Sequence, residues 1–249
     1  MKEVNNKNEI GFILDLDGTI VDSTGIISRI QEEIIKKFHI VVTKEREEEL
    51  RSYAESMFQE DYTMRLAIKI MWSLMKKAGI AFHQRIQAFI MAAKLYPKYL
   101  KKIEIYKGAR ELFQFFDKNS IKYVIVTNSS DRSVKRHLSN YPNFYQNLIQ
   151  KNKLITKDSV RWIKPHPESF FLAVKRMGVP RNRVVVVGDT KYDILFAKAN
   201  NVASIGVLTG IYKEDQLKLF EPEFIFNSIA DIPENIDKII EKIYSNIIE

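Results

Sequence analysis

Short, unbroken apolar runs, each closed by a polar cluster, recur along this chain. Gly11–Leu14 leads into Asp and Gly, Tyr123–Val126 into Thr-Asn-Ser-Ser, and Val184–Val187 into Gly-Asp-Thr. Ala203–Val207 and Phe224–Phe226 are two further runs of the kind. A strand buried on both faces of a parallel sheet needs continuous rather than alternating apolar positions, so these runs predict the strands of such a sheet. Helix-forming stretches separate them at Ala109–Lys118, Asp131–Asn140, Pro167–Met177 and Tyr192–Asn200. Strand–helix alternation of this sort predicts a doubly wound, Rossmann-like α/β fold, whose ligand crevice lies beyond the carboxyl ends of the strands.

A second texture interrupts the first. From Ile26 to Ala78 there is no Gly or Pro, and helix formers dominate. Met64, Ala67, Ile68, Met71, Trp72 and Met75 recur at spacings of three and four, which makes one apolar helix face. A further helix over His83–Tyr96 is expected to close before Pro97. The pattern predicts an all-α helical cap over residues 24–104, inserted after the first strand of a core formed by residues 1–23 and 105–249. The cap methionines Met57, Met64, Met71, Met75 and Met91 are expected to build its own core. Gly79–Arg85 is a candidate cap loop facing the crevice.

Composition narrows the functional classes. With no cysteine among 249 residues, a disulfide scaffold, a thiolate metal site and a cysteine nucleophile are excluded. No apolar run approaches membrane-spanning length and the first ten residues carry no signal-peptide core, so a soluble, cytoplasmic protein without a membrane partner is expected. The formal net charge is +8, and 15 Lys and Arg against 9 Asp and Glu between Thr24 and Lys102 carry most of it. That excess could steer an anionic substrate, but ordinary helix-surface charges such as Lys76, Lys77, Lys101 and Lys102 account for it better, and no nucleic-acid-binding motif accompanies it.

Four polar clusters sit where strands end. In Asp15-Leu16-Asp17-Gly18-Thr19, one carboxylate can attack phosphorus while its neighbour serves as general acid and base, or the pair can simply form an acidic turn. Thr127-Asn128-Ser129-Ser130 offers a hydroxyl, an amide and N–H groups entering a helix, as either a phosphate site or an N-cap. Lys164-Pro165-His166-Pro167 fixes a lysine just ahead of a helix. In Gly188-Asp189-Thr190-Lys191-Tyr192-Asp193, Asp189 could complete an oxygen-rich Mg²⁺ site with Asp15, and Asp193 could hold a metal-bound water or orient Lys164. The histidines His39, His83, His137 and His166 show no metal-ligand spacing and are expected at the surface or in loops.

Together these clusters resemble the four ordered motifs of the haloacid dehalogenase-like superfamily, in its phosphoglycolate-phosphatase-like branch. Phe12–Ser23 is similar to the first motif, Val126–Ser129 to the second, Lys164–Pro167 to the third and Gly188–Asp193 to the fourth. The resemblance implies a Mg²⁺-dependent phosphatase acting on a small phosphorylated metabolite, phosphoglycolate or a sugar phosphate first. Asp15 would be the nucleophile, Asp17 the acid and base, and Lys164 a catalytic cation. Gly18, Thr127, Asn128 and Lys164 would hold phosphate. Asp15, Asp17 through its backbone carbonyl, Asp189 and Asp193 would form the metal site. Ile163, Lys107 and Asn201 depart from the family's usual Gly, Pro and Gly, and none of the three removes a reacting group. A phosphomutase using the same two aspartates, and a non-enzymatic phosphate or nucleic-acid binder on the same scaffold, are the alternatives.

Overall fold

The structure, a computed structural model, describes residues 9–23, 25–40, 43, 72–73, 75–77, 79–210 and 212–248. The described chain forms two compact units, Met1–Thr24 with Leu100–Glu249, and Gly25–Tyr99.

The first unit is built on six parallel strands: β1 (Gly11–Leu14), β2 (Lys122–Val126), β3 (Leu154–Ile155), β4 (Val184–Gly188), β5 (Ala203–Val207) and β6 (Phe224–Phe226). Their order across the sheet is β3-β2-β1-β4-β5-β6. The sheet is doubly wound, with the reversal at β1. Leu14, the last residue of β1, lies opposite Ile125 on one side and Val187 on the other, so β2 and β4 each run one residue further than β1. Strands β1, β4 and β5 are buried throughout, which is why their sequences run apolar without alternation.

Alternate residues nevertheless serve opposite faces. Ile13, Val124 and Val186 pack with Phe170, Ala173 and Met177 of a helix at Glu168–Met177 and with Phe196 and Ala197 of a helix at Lys191–Ala199. Toward the other face, Phe12 packs against Phe116 of the helix Ala109–Lys118, the two rings tilted by 34° with centroids 4.7 Å apart. The closing helix Ile232–Ile248 buries Ile236, Ile239, Ile240 and Ile243, spaced three and four apart.

Sequence and structure differ in several elements. Strand β3 is only two residues long and edges the sheet, too short to show as an apolar run. The helix expected to end before Pro97 runs over Phe82–Leu100. Pro97 gives up its own N–H bond and crowds the carbonyl four residues back, but it lies in the last turn, and the helix ends three residues on. Residues 82–85 are accordingly helix rather than loop, and the Ala81 N–H donates to the Gln84 side chain 3.2 Å away at its start. The expected helix Asp131–Asn140 stops at His137. Of the methionines assigned to the cap core, Met57, Met64 and Met71 lie outside the described residues, as do Ala67 and Ile68; Met75 is buried. Among the described residues no helix is long and apolar enough to cross a membrane.

The two segments that link the units run side by side within the first. Val21 bridges Ile105 in antiparallel fashion, and the Asp22 N–H donates to the Glu104 carbonyl at 2.9 Å.

Candidate active site

Because β1, β2 and β4 end within one residue of each other, the residues that follow them lie at one rim of the sheet: Asp15, Thr127 and Asp189. The Asp15 N–H donates to the Val187 carbonyl at 2.8 Å, which extends the β1–β4 ladder by one residue. The Thr127 N–H donates likewise to Ile155 of β3 at 2.9 Å.

Lys164 comes from a loop far away in sequence, and three anchors bring it in. Asn128 clasps its peptide group from both sides, accepting from the Lys164 N–H at 3.0 Å and donating to the Lys164 carbonyl at 3.1 Å. Glu168, at the start of the following helix, accepts from the N–H groups of Arg161 and Trp162. The Lys157 N–H donates to the Ser129 carbonyl. The peptide bond from Lys164 to Pro165 is cis. The ammonium ends up buried, 2.6 Å from Asp15 Oδ1 and 2.6 Å from Asp193 Oδ1.

Asp193 is committed on both oxygens. Its Oδ2 accepts from the Thr190 hydroxyl at 2.7 Å and the Thr190 N–H at 3.2 Å, capping the helix that begins at Lys191. Asp189 is wholly buried, and its Oδ1 accepts from the Thr19 hydroxyl at 3.2 Å.

Glycines make room for these carboxylates. Gly18 has φ 82°, and a methyl group on it would sit 2.5 Å from Asp189 Oδ2. A side chain at Gly210 would strike Asp189, and one at Gly188 would strike Asp193. Gly18→Ala is therefore expected to cost at least about 1–2 kcal/mol from backbone handedness alone, with a further loss from the displaced Asp189. Urea denaturation of the variant beside the wild type checks this; equal midpoints would contradict it.

Electrostatics sets the tone of the site. Burial pushes the Asp15 carboxyl up to about 7, reinforced by the charges of Asp193 and Asp17 and only partly offset by Lys164. Burial works against the Lys164 ammonium, yet its two aspartate partners outweigh that and hold its proton more tightly than on a free lysine. Asp15, Asp189 and Asp193 each offer a carboxylate oxygen within 4.8 Å of the others. Three buried carboxylates this close together repel one another, and a hard cation with oxygen ligands would relieve that repulsion.

The residues assigned to phosphate by resemblance divide in two. Thr127 and Lys164 sit at the strand ends with polar groups near Asp17 and Asp15. The Asn128 side chain is spent on Lys164, and the Gly18 N–H donates to the Val21 carbonyl at 2.9 Å. Gly18 thus serves Asp189 through its missing side chain. Asn201, at a usual glycine position, takes φ 53° after the helix Lys191–Ala199, a conformation Asn tolerates.

Asp17 brings in a residue that sequence reasoning placed elsewhere. Its Oδ2 accepts from the Ser129 hydroxyl at 2.6 Å and lies 3.4 Å from the Thr127 hydroxyl; its Oδ1 lies 2.7 Å from His137 Nδ1. Burial raises the Asp17 carboxyl, but His137, Ser129 and Ser23 together bring it below the ordinary aspartate value. His39, His83 and His166 are exposed as expected, whereas His137 is buried. The signal for it was present: His137 follows Val134 by three positions and precedes Leu138, on the buried side of its helix.

The model of the haloacid dehalogenase-like hydrolase family matches residues 12–207. The chain belongs to that family. Among curated proteins it is similar to the Dickeya dadantii protein named "Probable phosphatase IndB", 43% identical over 75 residues, which is 30% of this chain and 33% of that one. It is also similar to the phosphoglycolate phosphatase of Escherichia coli, 35% identical over 79 residues, 32% of this chain and 31% of that one. The chain thus spans about a third of the length of each of these two relatives. Among solved structures, a hydrolase from Pseudomonas syringae superposes with a TM-score of 0.61 at 25% identity, covering 92% of this chain and 99% of its own. In this chain, the four motif clusters are the ones that meet near the ends of β1, β2 and β4.

Proposed function

We propose that this hydrolase is a Mg²⁺-dependent phosphatase of a small phosphomonoester, working through an aspartyl phosphate on Asp15. The observation that carries the reading is the buried Lys164 ammonium held between Asp15 and Asp193, with Asp189 alongside at the rim of the sheet. The phosphatase names of the curated relatives agree with it.

Asp15, Asp189 and the backbone carbonyl of Asp17 would hold the metal ion, and Asp193 would act on it through Lys164. The donors fit, because the carboxylate oxygens of Asp15 and Asp189 lie within 4.8 Å of one another and two carboxylates leave positions for water and a phosphoryl oxygen. Bound there, Mg²⁺ supplies charge neutralisation for the anionic nucleophile and phosphoryl group. In the first step, Asp15 attacks phosphorus in line and the bond to the leaving alcohol oxygen breaks. The proton that Asp17 gives this oxygen is one it holds only transiently, because His137, Ser129 and Ser23 favour its charged form. In the second, water attacks phosphorus, Asp17 takes its proton, and the bond to Asp15 breaks to release phosphate. Throughout, Lys164, the Thr127 hydroxyl and the Asn128 backbone hold the phosphoryl oxygens, and Lys164 offsets their charge.

Hydrolysis of para-nitrophenyl phosphate with and without Mg²⁺, followed by a panel of phosphorylated metabolites that includes phosphoglycolate and sugar phosphates, tests the reading. Free phosphate released in step with substrate consumed is the expected result; an isomerised phosphate ester as the product would favour a phosphomutase. A second readout does not depend on turnover. At a concentration one hundred times its dissociation constant, Mg²⁺ should stabilise the fold by about 2.7 kcal/mol. That is a rise of several degrees in melting temperature, lost in Asp189→Asn. Identical melting curves with Mg²⁺ and with a chelator would contradict the metal assignment.

A further inference from the structure

We infer that His137 is a positioning residue for Asp17, setting the orientation in which that carboxyl meets the leaving group. This inference rests on the phosphatase reading above and concerns a residue that the family motifs leave out.

The geometry begins with the helix Asp131–His137. Ser130 caps it, its side chain accepting from the Ser133 N–H at 3.2 Å, so the helix start is tied to the strand end that delivers Thr127 and Ser129. Two turns on, Val134, His137 and Leu138 are all buried. A polar ring on such a face needs a partner, and the one it finds is 120 residues away in sequence, Asp17 Oδ1 at 2.7 Å. An ionised carboxylate only accepts hydrogen bonds, so Nδ1 is the donor when Asp17 is charged.

The carboxyl is thereby gripped at both ends, Oδ1 by His137 and Oδ2 by the Ser129 hydroxyl at 2.6 Å. Two fixed donors on opposite oxygens define the plane of a carboxyl group, where one alone would leave it free to turn about its χ angles. Both grips come from the chain that follows β2, one from its loop and one from the end of its helix. The carboxyl of a residue after β1 is thus referenced to the neighbouring strand. Proton delivery depends on such alignment with the leaving oxygen, because general acid catalysis is effective only within hydrogen-bond reach.

This role has a consequence that a merely structural ion pair would not produce. An alkyl phosphate needs its leaving oxygen protonated; para-nitrophenolate leaves with little help. Loss of His137 should therefore slow the alkyl ester more than the aryl one. The experiment measures kcat and KM for both esters in wild type, His137→Leu, His137→Gln, His137→Asn and Asp15→Asn. Relative to wild type, the alkyl-to-aryl ratio of kcat should fall at least about tenfold in His137→Leu and stay within about twofold in His137→Asn, whose amide can reach the place of Nδ1. KM should change little. His137→Gln keeps polar bulk but carries its amide one methylene further, so the ratio should fall there as well, which preserves the test if the Leu variant does not fold. Equal losses on both esters, or an Asn variant no better than Leu and Gln, would overturn the inference. Turnover by wild type that Asp15→Asn abolishes supports the underlying reading separately; no turnover by wild type would overturn both.

Discussion

Asp15→Asn is expected to abolish turnover, by about 10⁴-fold or more, while leaving the fold at least as stable as the wild type in the absence of divalent cations. The two halves of this result have one cause. The carboxylate that must attack phosphorus is buried among Asp193 and Asp17, and burial with those charges raises its affinity for a proton. A group whose pKa is higher in the folded than in the unfolded chain is stabilising while protonated and loses that benefit as pH rises from the free-aspartate range through its folded value. For Asp15 that window runs from 3.8 to about 7. Above it, the neutral Asn removes a repulsion that the wild type bears. The amide cannot form the acyl phosphate, so activity goes. Thermal melting in a chelator at pH 7.5 and at pH 4, beside initial rates with Mg²⁺, checks both halves. A marked drop in melting temperature at pH 7.5, or retained turnover, would count against the assignment.

Lys164→Met is expected to fail in both respects. Its ammonium is the shared partner of Asp15 and Asp193, each at 2.6 Å and each largely closed to solvent. Removing one member of a buried ion pair leaves uncompensated charge and typically costs about 3–5 kcal/mol, enough to lower the melting temperature of a chain this size by on the order of 10 °C. Activity should fall together with stability, because the same cation offsets the phosphoryl oxygens. The two substitutions should be non-additive, since they share a contact: Asp15→Asn introduced into Lys164→Met should recover part of the lost stability. Chemical denaturation of the four proteins measures the coupling. Strict additivity would show that Lys164 does not owe its place to Asp15.

The contrast between these variants bears on how the site was legible before any coordinates. The strands of the core announce themselves because both faces of the sheet are covered, so Val184–Val187 can only be apolar throughout. Their carboxyl ends then locate Asp15, Thr127 and Asp189 by topology alone, and Lys164 by its prolines. What sequence could not convey is which side chains are spent on one another. Asn128 reads as a phosphate ligand next to Thr127, yet its amide matches the peptide of Lys164 so well that both of its polar atoms are used there. His137 reads as a surface residue amid Lys135 and Arg136; its spacing from Val134 and Leu138 places it on the buried side of the helix, but no spacing could show that Asp17 is its partner. Strand β3 escapes notice for a simpler reason: an edge strand needs only Leu154 and Ile155 to pair with Ile125 and Val126. Pairing across the chain leaves no spacing pattern, whereas helix and strand periodicity does.

A phosphoryl group is expected to pass through Asp15. Wild-type protein mixed with excess phosphomonoester and Mg²⁺, quenched in acid within the first turnover and digested, should yield the peptide carrying Asp15 with the mass of one added phosphoryl group. That species should be absent from Asp15→Asn and should decay to free phosphate when the quench is delayed. Phosphoryl label on any other residue, or steady release of phosphate with the Asp15 peptide unmodified at every time point, would contradict the account.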